Sequence, residues 1–87
     1  MFDIKVSNKA KKFVQKQDTP TRKRIKNALL QLAEYPYNRK ENDIKKMKGY
    51  SDTFRLRVGG IRMIYKVEDE KVILYVLDID FRGNIYK

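Results

Sequence analysis

Along residues 53–65, TFRLRVGGIRMIY, Phe54, Leu56 and Val58 alternate with Thr53, Arg55 and Arg57, and a Gly59-Gly60 pair follows. A period of two predicts a strand whose apolar trio faces a core while both arginines face away. A Gly-Gly pair suits the left-handed angles of two-residue turns, so 53–65 is predicted to form the hairpin around which the chain is organised. In that register Val58 stands opposite Ile61, and Arg57 opposite Arg62. Like charges directly across a ladder oppose pairing by about a few tenths of a kcal/mol or more. A bound anion would remove the repulsion, and three arginines on one rigid face suit a phosphate-bearing one. Three solvated surface arginines are the alternative.

Elsewhere the pattern is also informative. Phe2, Ile4 and Val6 alternate with Asp3 and Lys5, predicting a short half-buried strand. Ser7 can cap a helix over 8–17 that buries Ala10, Phe13 and Val14. Asp18-Thr19-Pro20 is a break and restart: Thr19 or Asp18 caps, and Pro20 fits the first helical position. The second helix is predicted over 20–33, with Ile25, Ala28, Leu29 and Leu32 forming its core stripe. Arg22, Lys23, Arg24 and Lys26 crowd its N-terminal half, beside the positive end of the dipole. They suit either an anion contact or a solvated face.

Pro36 ends that helix. The stretch 39–48 reads as a polar, lysine-rich connection tethered by Ile44 and Met47. Asp69-Glu70 is a turn, and 71–79 is the most apolar strand, apolar on both faces and therefore interior to the sheet. The order strand, helix, helix, strand, strand, strand indicates one α+β domain over 1–87. A helical hairpin covers one face of a largely antiparallel sheet, and Arg55, Arg57 and Arg62 lie on the other.

Composition narrows the chemistry. The 87 residues include no Cys, which fits a reducing compartment. No signal-peptide core fits the first twenty residues, and the longest apolar run, 72–77, is far too short for a bilayer, so a soluble cytoplasmic protein without a membrane partner is expected. A formal charge of +10 favours a polyanionic partner: nucleic acid first, with an acidic protein compatible. With no His and no Cys, neither a Ser-His-Asp triad nor a His- or Cys-ligated zinc site can be built. RNA cleavage needs neither, because the 2′-OH is an internal nucleophile. It requires a base, charge stabilisation at the phosphorane and a proton for the leaving oxygen. Arginines supply the electrostatic part. Tyr86 suits the base if positive charge lowers its pKa from about 10, and Arg82 can approach the same pocket. A packing role for Tyr86 is the competing reading. Asp78 and Asp80 share a strand face, but two carboxylates are few for a metal nuclease.

The stretch KKMKGYSDTFRLRVGGIRMIYKV, the helical hairpin before it and the ending DIDFRGNIYK resemble the RelE/ParE superfamily of toxin–antitoxin toxins across nearly the whole chain. The resemblance implies a sheet of about four antiparallel strands and a cytoplasmic toxin wrapped by a small acidic antitoxin. RelE-like members cut mRNA in the ribosomal A site by cofactor-free, metal-independent 2′-OH attack, whereas ParE-like members poison DNA gyrase. The Arg82…Tyr86 ending favours the endoribonuclease branch. By family role Tyr86 is the base, Arg57 and Arg62 stabilise phosphate charge, and Arg82 serves the leaving group. Lys46, Lys48 and Arg55 hold RNA, and Phe81 either stacks on a base or belongs to the core. Several relatives have lysines where this chain has Arg55 and Arg57, and arginine is a poor proton donor. A gyrase inhibitor and a catalytically inactive nucleic-acid-binding relative are the alternatives.

Overall fold

A computed structural model of the chain describes residues 1–37 and 43–81. Its elements run β1 (Asp3–Val6), α1 (Asn8–Gln15), α2 (Thr19–Glu34), β2 (Asp43–Lys46), β3 (Thr53–Val58), β4 (Ile61–Glu68) and β5 (Ile73–Phe81). The strands form a single sheet in the order β1-β5-β4-β3-β2, with β1 parallel to β5 and every other pair antiparallel. The described strands number five, not about four. The additional strand is β2, inside the stretch that reads as a connection. Its four residues, Asp-Ile-Lys-Lys, bury only Ile44, which pairs with Leu56. One buried residue is too few to show a period, and lysines are what a short edge strand carries against unwanted pairing.

Both helix starts follow from local hydrogen bonding. Ser7 Oγ accepts from the Ala10 N–H at 3.1 Å and caps α1. Asp18 Oδ1 accepts from the Thr21 N–H at 3.0 Å and caps α2, with Pro20 in the first turn. These bonds from Thr21 hold the Asp18 carboxyl below its ordinary range, and Arg24 and Arg22 add to the effect. That carboxylate offsets the basic cluster that the α2 dipole disfavours.

Ala10, Ile25, Ala28 and Leu32 from the helices meet Leu56, Met63, Tyr65, Leu74, Val76 and Ile79 from the sheet in one core. The Tyr65 hydroxyl, fully buried, donates to the Pro36 carbonyl at 2.7 Å and ties the end of α2 to the sheet. At the other end of the helical layer α1 continues where β1 stops. The register of β1 ends at Val6–Val76, after which the Ser7 N–H donates to the Val76 carbonyl and Ser7 Oγ to that of Leu77. The helix thereby covers the half of β5 that β1 leaves open.

The interior position expected for the apolar strand is found, but its two-faced pattern has a different cause. Tyr65 pairs with Val76 and Ile64 with Asp78, so Leu77 is an extra residue in β5. Such a bulge reverses the alternation of side chains. Leu74, Val76 and Ile79 consequently all reach the core, and Asp78 and Asp80 are delivered to the opposite face. The strand also starts later than expected: Lys71 and Val72 belong to the turn, with Val72 at φ +55°. Among the described residues no helix is long and apolar enough to cross a membrane.

Candidate nucleic-acid interface

The central hairpin has the expected register, with Arg57 opposite Arg62, Val58 opposite Ile61, and Gly59 at φ +56° in the turn. Following the register across the sheet gives two rows on the face away from the helices. One row is Asp43, Arg57, Arg62, Asp80; the other is Lys45, Arg55, Ile64, Asp78. The arginine pair is therefore flanked by a carboxylate on each side. Asp43 lies 3.6 Å from Arg55 and 3.8 Å from Arg57, so a single carboxylate is shared by two guanidiniums. Asp78 is held from α1 by Lys9 at 3.5 Å. Asp80 accepts the Phe81 N–H at 2.7 Å.

Arg55 and Arg62 are not solvated surface residues, and Arg57 is half-buried. Arg55 is 8% exposed and Arg62 9%. Both line a cavity of about 430 Å³ together with Lys45, Lys46, Met47 and Lys48. The lysines arrive there because Met47 leaves β2 by donating its N–H to the Thr53 carbonyl at 2.8 Å, and Gly49 at φ +87° turns the chain back. A left-handed angle at that point favours glycine. Arg55 Nε is buried without a hydrogen-bond partner. A fixed, desolvated guanidinium in a lysine-rimmed cavity binds anionic oxygen more strongly than a solvated one, because water competes less and little side-chain entropy remains to be lost.

The fold thus brings Arg55, Arg62, Lys46 and Lys48 together. Arg57 occupies the next position of the same strand face but lines a different cavity, between the sheet edge and α2. Phe81 is on the helix side, opposite Ile61 and edge-on to Phe13 at 5.2 Å, and the structure does not join it to the arginines. Arg82 and Tyr86 lie outside the described residues. The sequence reading gives Asp43 no role and Lys45 only a place in the basic Lys45–Lys48 run, because both need β2 to be recognised as a strand. The Asp43–Lys45 alternation was the available signal. Among the described residues no group of three or more potential metal-ligating His, Cys, Asp or Glu side chains occurs.

Among the described residues, a two-helix layer over one face of a five-stranded sheet, with a basic cavity on the other, defines a small α+β protein. The chain belongs to the RelE/ParE superfamily and is a RelE-like toxin of a type II toxin–antitoxin system. Residues 4–86 match the family described as the ParE toxin of the type II toxin–antitoxin system parDE. The mRNA interferase toxin RelE of Escherichia coli (strain K12) is 30% identical over 83 residues, covering 93% of this chain and 83% of that protein. The archaeal RelE–RelB complex from Pyrococcus horikoshii OT3 contains a chain that superposes with a TM-score of 0.84 at 25% identity, covering 94% of this chain and 96% of its own length. The isolated E. coli RelE toxin superposes with a TM-score of 0.78 at 26% identity, over 99% and 92% of the two chains.

Proposed function

We propose that this toxin is a metal-independent endoribonuclease that cleaves mRNA in the ribosomal A site and so inhibits translation. The observation that carries the reading is the burial of Arg55 and Arg62 in one lysine-rimmed cavity, in a chain with no His. Preorganised, largely desolvated guanidiniums stabilise the charge that develops on a phosphorane without reorganising during the reaction. In this reading Arg62 and Arg57 stabilise phosphate charge, and Lys46, Lys48 and Arg55 hold the RNA. Arg82 serves the leaving oxygen and Tyr86 removes the 2′-OH proton. The E. coli relative is named an mRNA interferase, which supports the same branch. A small acidic antitoxin is the second partner: the chain carries +10, and the P. horikoshii neighbour is a RelE–RelB complex.

The test is cleavage of mRNA on programmed ribosomes with EDTA present, provided ribosome integrity is maintained independently. A product ending in a 2′,3′-cyclic phosphate is expected. Tyr86→Phe keeps the ring and should lower the rate by about 10²–10⁴-fold, the usual worth of a positioned acid–base group. Undiminished cleavage by a folded Tyr86→Phe protein would remove Tyr86 as the base and leave Asp78 and Asp80 to be tested.

A gyrase inhibitor is the second reading, favoured by the ParE description of the matched family. Inhibition of DNA supercoiling without mRNA cleavage is its signature.

A further inference from the structure

The cavity lined by Arg57 has its own chemistry. It measures about 300 Å³ and lies between the β2–β3 edge and α2. From α2 it takes Arg24, Asn27 and Gln31, spaced i, i+3 and i+7 and so aligned on one stripe. Ala28, between them, is short enough to leave room. From the sheet it takes Arg57 and Asp43. The Arg24 guanidinium reaches over the hairpin: its Nη1 stands 3.6 Å from the place a Gly59 Cβ would occupy. Among the described residues the lining includes one carboxylate, Asp43, and it is already shared between Arg55 and Arg57. Two guanidiniums, Arg24 and Arg57, thus line the cavity, and two carboxamides on successive turns stand beside them.

This combination fits a nucleotide better than a simple anion. Guanidiniums match phosphate by their planar fork, and carboxamides offer a donor and an acceptor to a base edge. Continuity supplies the position. Arg55 lines the lysine-rich cavity and Arg57 the second, and two residues along a strand span about 6.6 Å, a step comparable to one nucleotide of extended single strand. Asp43 bridges the two arginines at the boundary. We infer that the Arg24–Asn27–Gln31–Arg57 cavity is a subsite for the RNA nucleotide flanking the one held over Arg55 and Arg62. The inference rests on the RNA-binding reading above and adds a source of context preference: Asn27 and Gln31 read the neighbouring base, and Arg24 holds its phosphate.

The experiment uses the full chain and single-stranded RNA of increasing length, fluorescein-labelled and 2′-O-methylated so that it cannot be cut, followed by fluorescence anisotropy. Wild-type affinity is expected to step up when the flanking nucleotide is added. Arg24→Gln, and separately Asn27→Ala combined with Gln31→Ala, should lose roughly tenfold at that step alone, the scale of one charge-assisted contact set. Arg24→Gln should also flatten the log–log salt slope by about 0.7, one phosphate on a single strand. These positions are exposed on α2, so circular dichroism should be unchanged. Variants that follow wild type at every length, or lose affinity equally at every length, overturn the subsite; so does a wild-type protein with no step. Competition by an acidic peptide that requires Arg24, without any length effect, assigns the cavity to a protein segment and equally overturns it. Length-dependent RNA binding by a wild type that fails to cut programmed mRNA counts against the nuclease reading and leaves the subsite standing.

Discussion

Arg57 and Arg62 face each other directly across the β3–β4 ladder, and the same row continues to Asp43 on one side and Asp80 on the other. The repulsion expected of two opposed arginines is therefore offset within the protein before any ligand arrives. The Asp43 carboxylate pairs with Arg57 and Arg55 at one end of the row, yet under the nuclease reading it also lowers the positive potential offered to RNA. Positioning and affinity pull in opposite directions here.

Asp43→Asn separates the two effects. The Asp43 side chain is 56% exposed and its contacts to Arg55 and Arg57 are long, so the lost ion pairs should cost less than about 1 kcal/mol in urea unfolding. RNA affinity at low salt should rise, because a negative charge beside the phosphate path is gone. Weaker RNA binding together with retained stability would show that Asp43 positions the arginines more than it repels the ligand.

Val72 offers a gain in stability. A β-branched residue at φ +55° is a strained backbone, about 1–2 kcal/mol above its relaxed conformation, and the side chain is 45% exposed, so little packing would be lost. The turn is nevertheless bonded in place: the Val72 N–H donates to the Asp69 carbonyl at 3.1 Å, and its carbonyl accepts from the Asp3 N–H at 2.9 Å. Val72→Gly and Val72→Asn tolerate the left-handed angle and should each raise unfolding stability by about 1 kcal/mol. An unchanged denaturation midpoint in both would mean that the turn relaxes without cost.

Tyr37 links stability to alkaline pH. Its hydroxyl donates to the Asp69 carboxylate at 3.0 and 3.2 Å, and its ring meets Phe54 edge-on. Partial burial, followed by the bond to Asp69, raises its pKa to about 12. The protonated phenol is the favoured folded form, so this contribution is complete below the unfolded value of about 10 and is lost as pH rises through about 12. Ultraviolet titration of wild type against Tyr37→Phe should isolate the Tyr37 transition as a late-ionising one. Asp69→Asn should bring that transition to lower pH, and Tyr37→Phe should delete it.

Much of this architecture was legible in the chain. Ser7 and the Asp18-Thr19-Pro20 restart marked both helix starts, and Gly59-Gly60 set the hairpin register, because each acts through its own backbone. What was hidden depends on partners distant in sequence. The bulge at Leu77 looks like a strand apolar on both faces until its pairing with Ile64 and Tyr65 is known. That same phase change sends Phe81 toward Phe13 and away from the arginines. Arginine burial was hidden too, since Arg55 and Arg62 become enclosed only when β2 and the Met47 turn are in place beside them. Four residues with one apolar side chain, Asp43–Lys46, could not announce that strand.

The division of labour within the lysine-rimmed cavity gives the last prediction. Lys46 and Lys48 are exposed at its rim, whereas Arg62 is nine-tenths buried in its wall. An exposed ammonium attracts the phosphate backbone through water and salt-dependent forces, and that attraction is similar before and during the reaction. Lys46→Ala or Lys48→Ala should therefore weaken ribosome or RNA association and flatten its salt dependence, with little loss of single-turnover rate at saturation. Under the nuclease reading, a buried guanidinium with little water around it acts on charge that grows in the transition state. Arg62→Ala should lower the saturated rate by about 10²–10³-fold, the range for removing one preorganised donor. Because Arg62→Ala also leaves a void and an altered charge row, Arg62→Lys serves as the second variant: it keeps the charge but lacks the fork, and should recover binding more fully than rate. Abolished cleavage at saturation in Lys46→Ala, with binding intact, would move that lysine into the chemistry and invert these roles. A saturated rate unchanged in both Arg62 variants would take the arginine out of it.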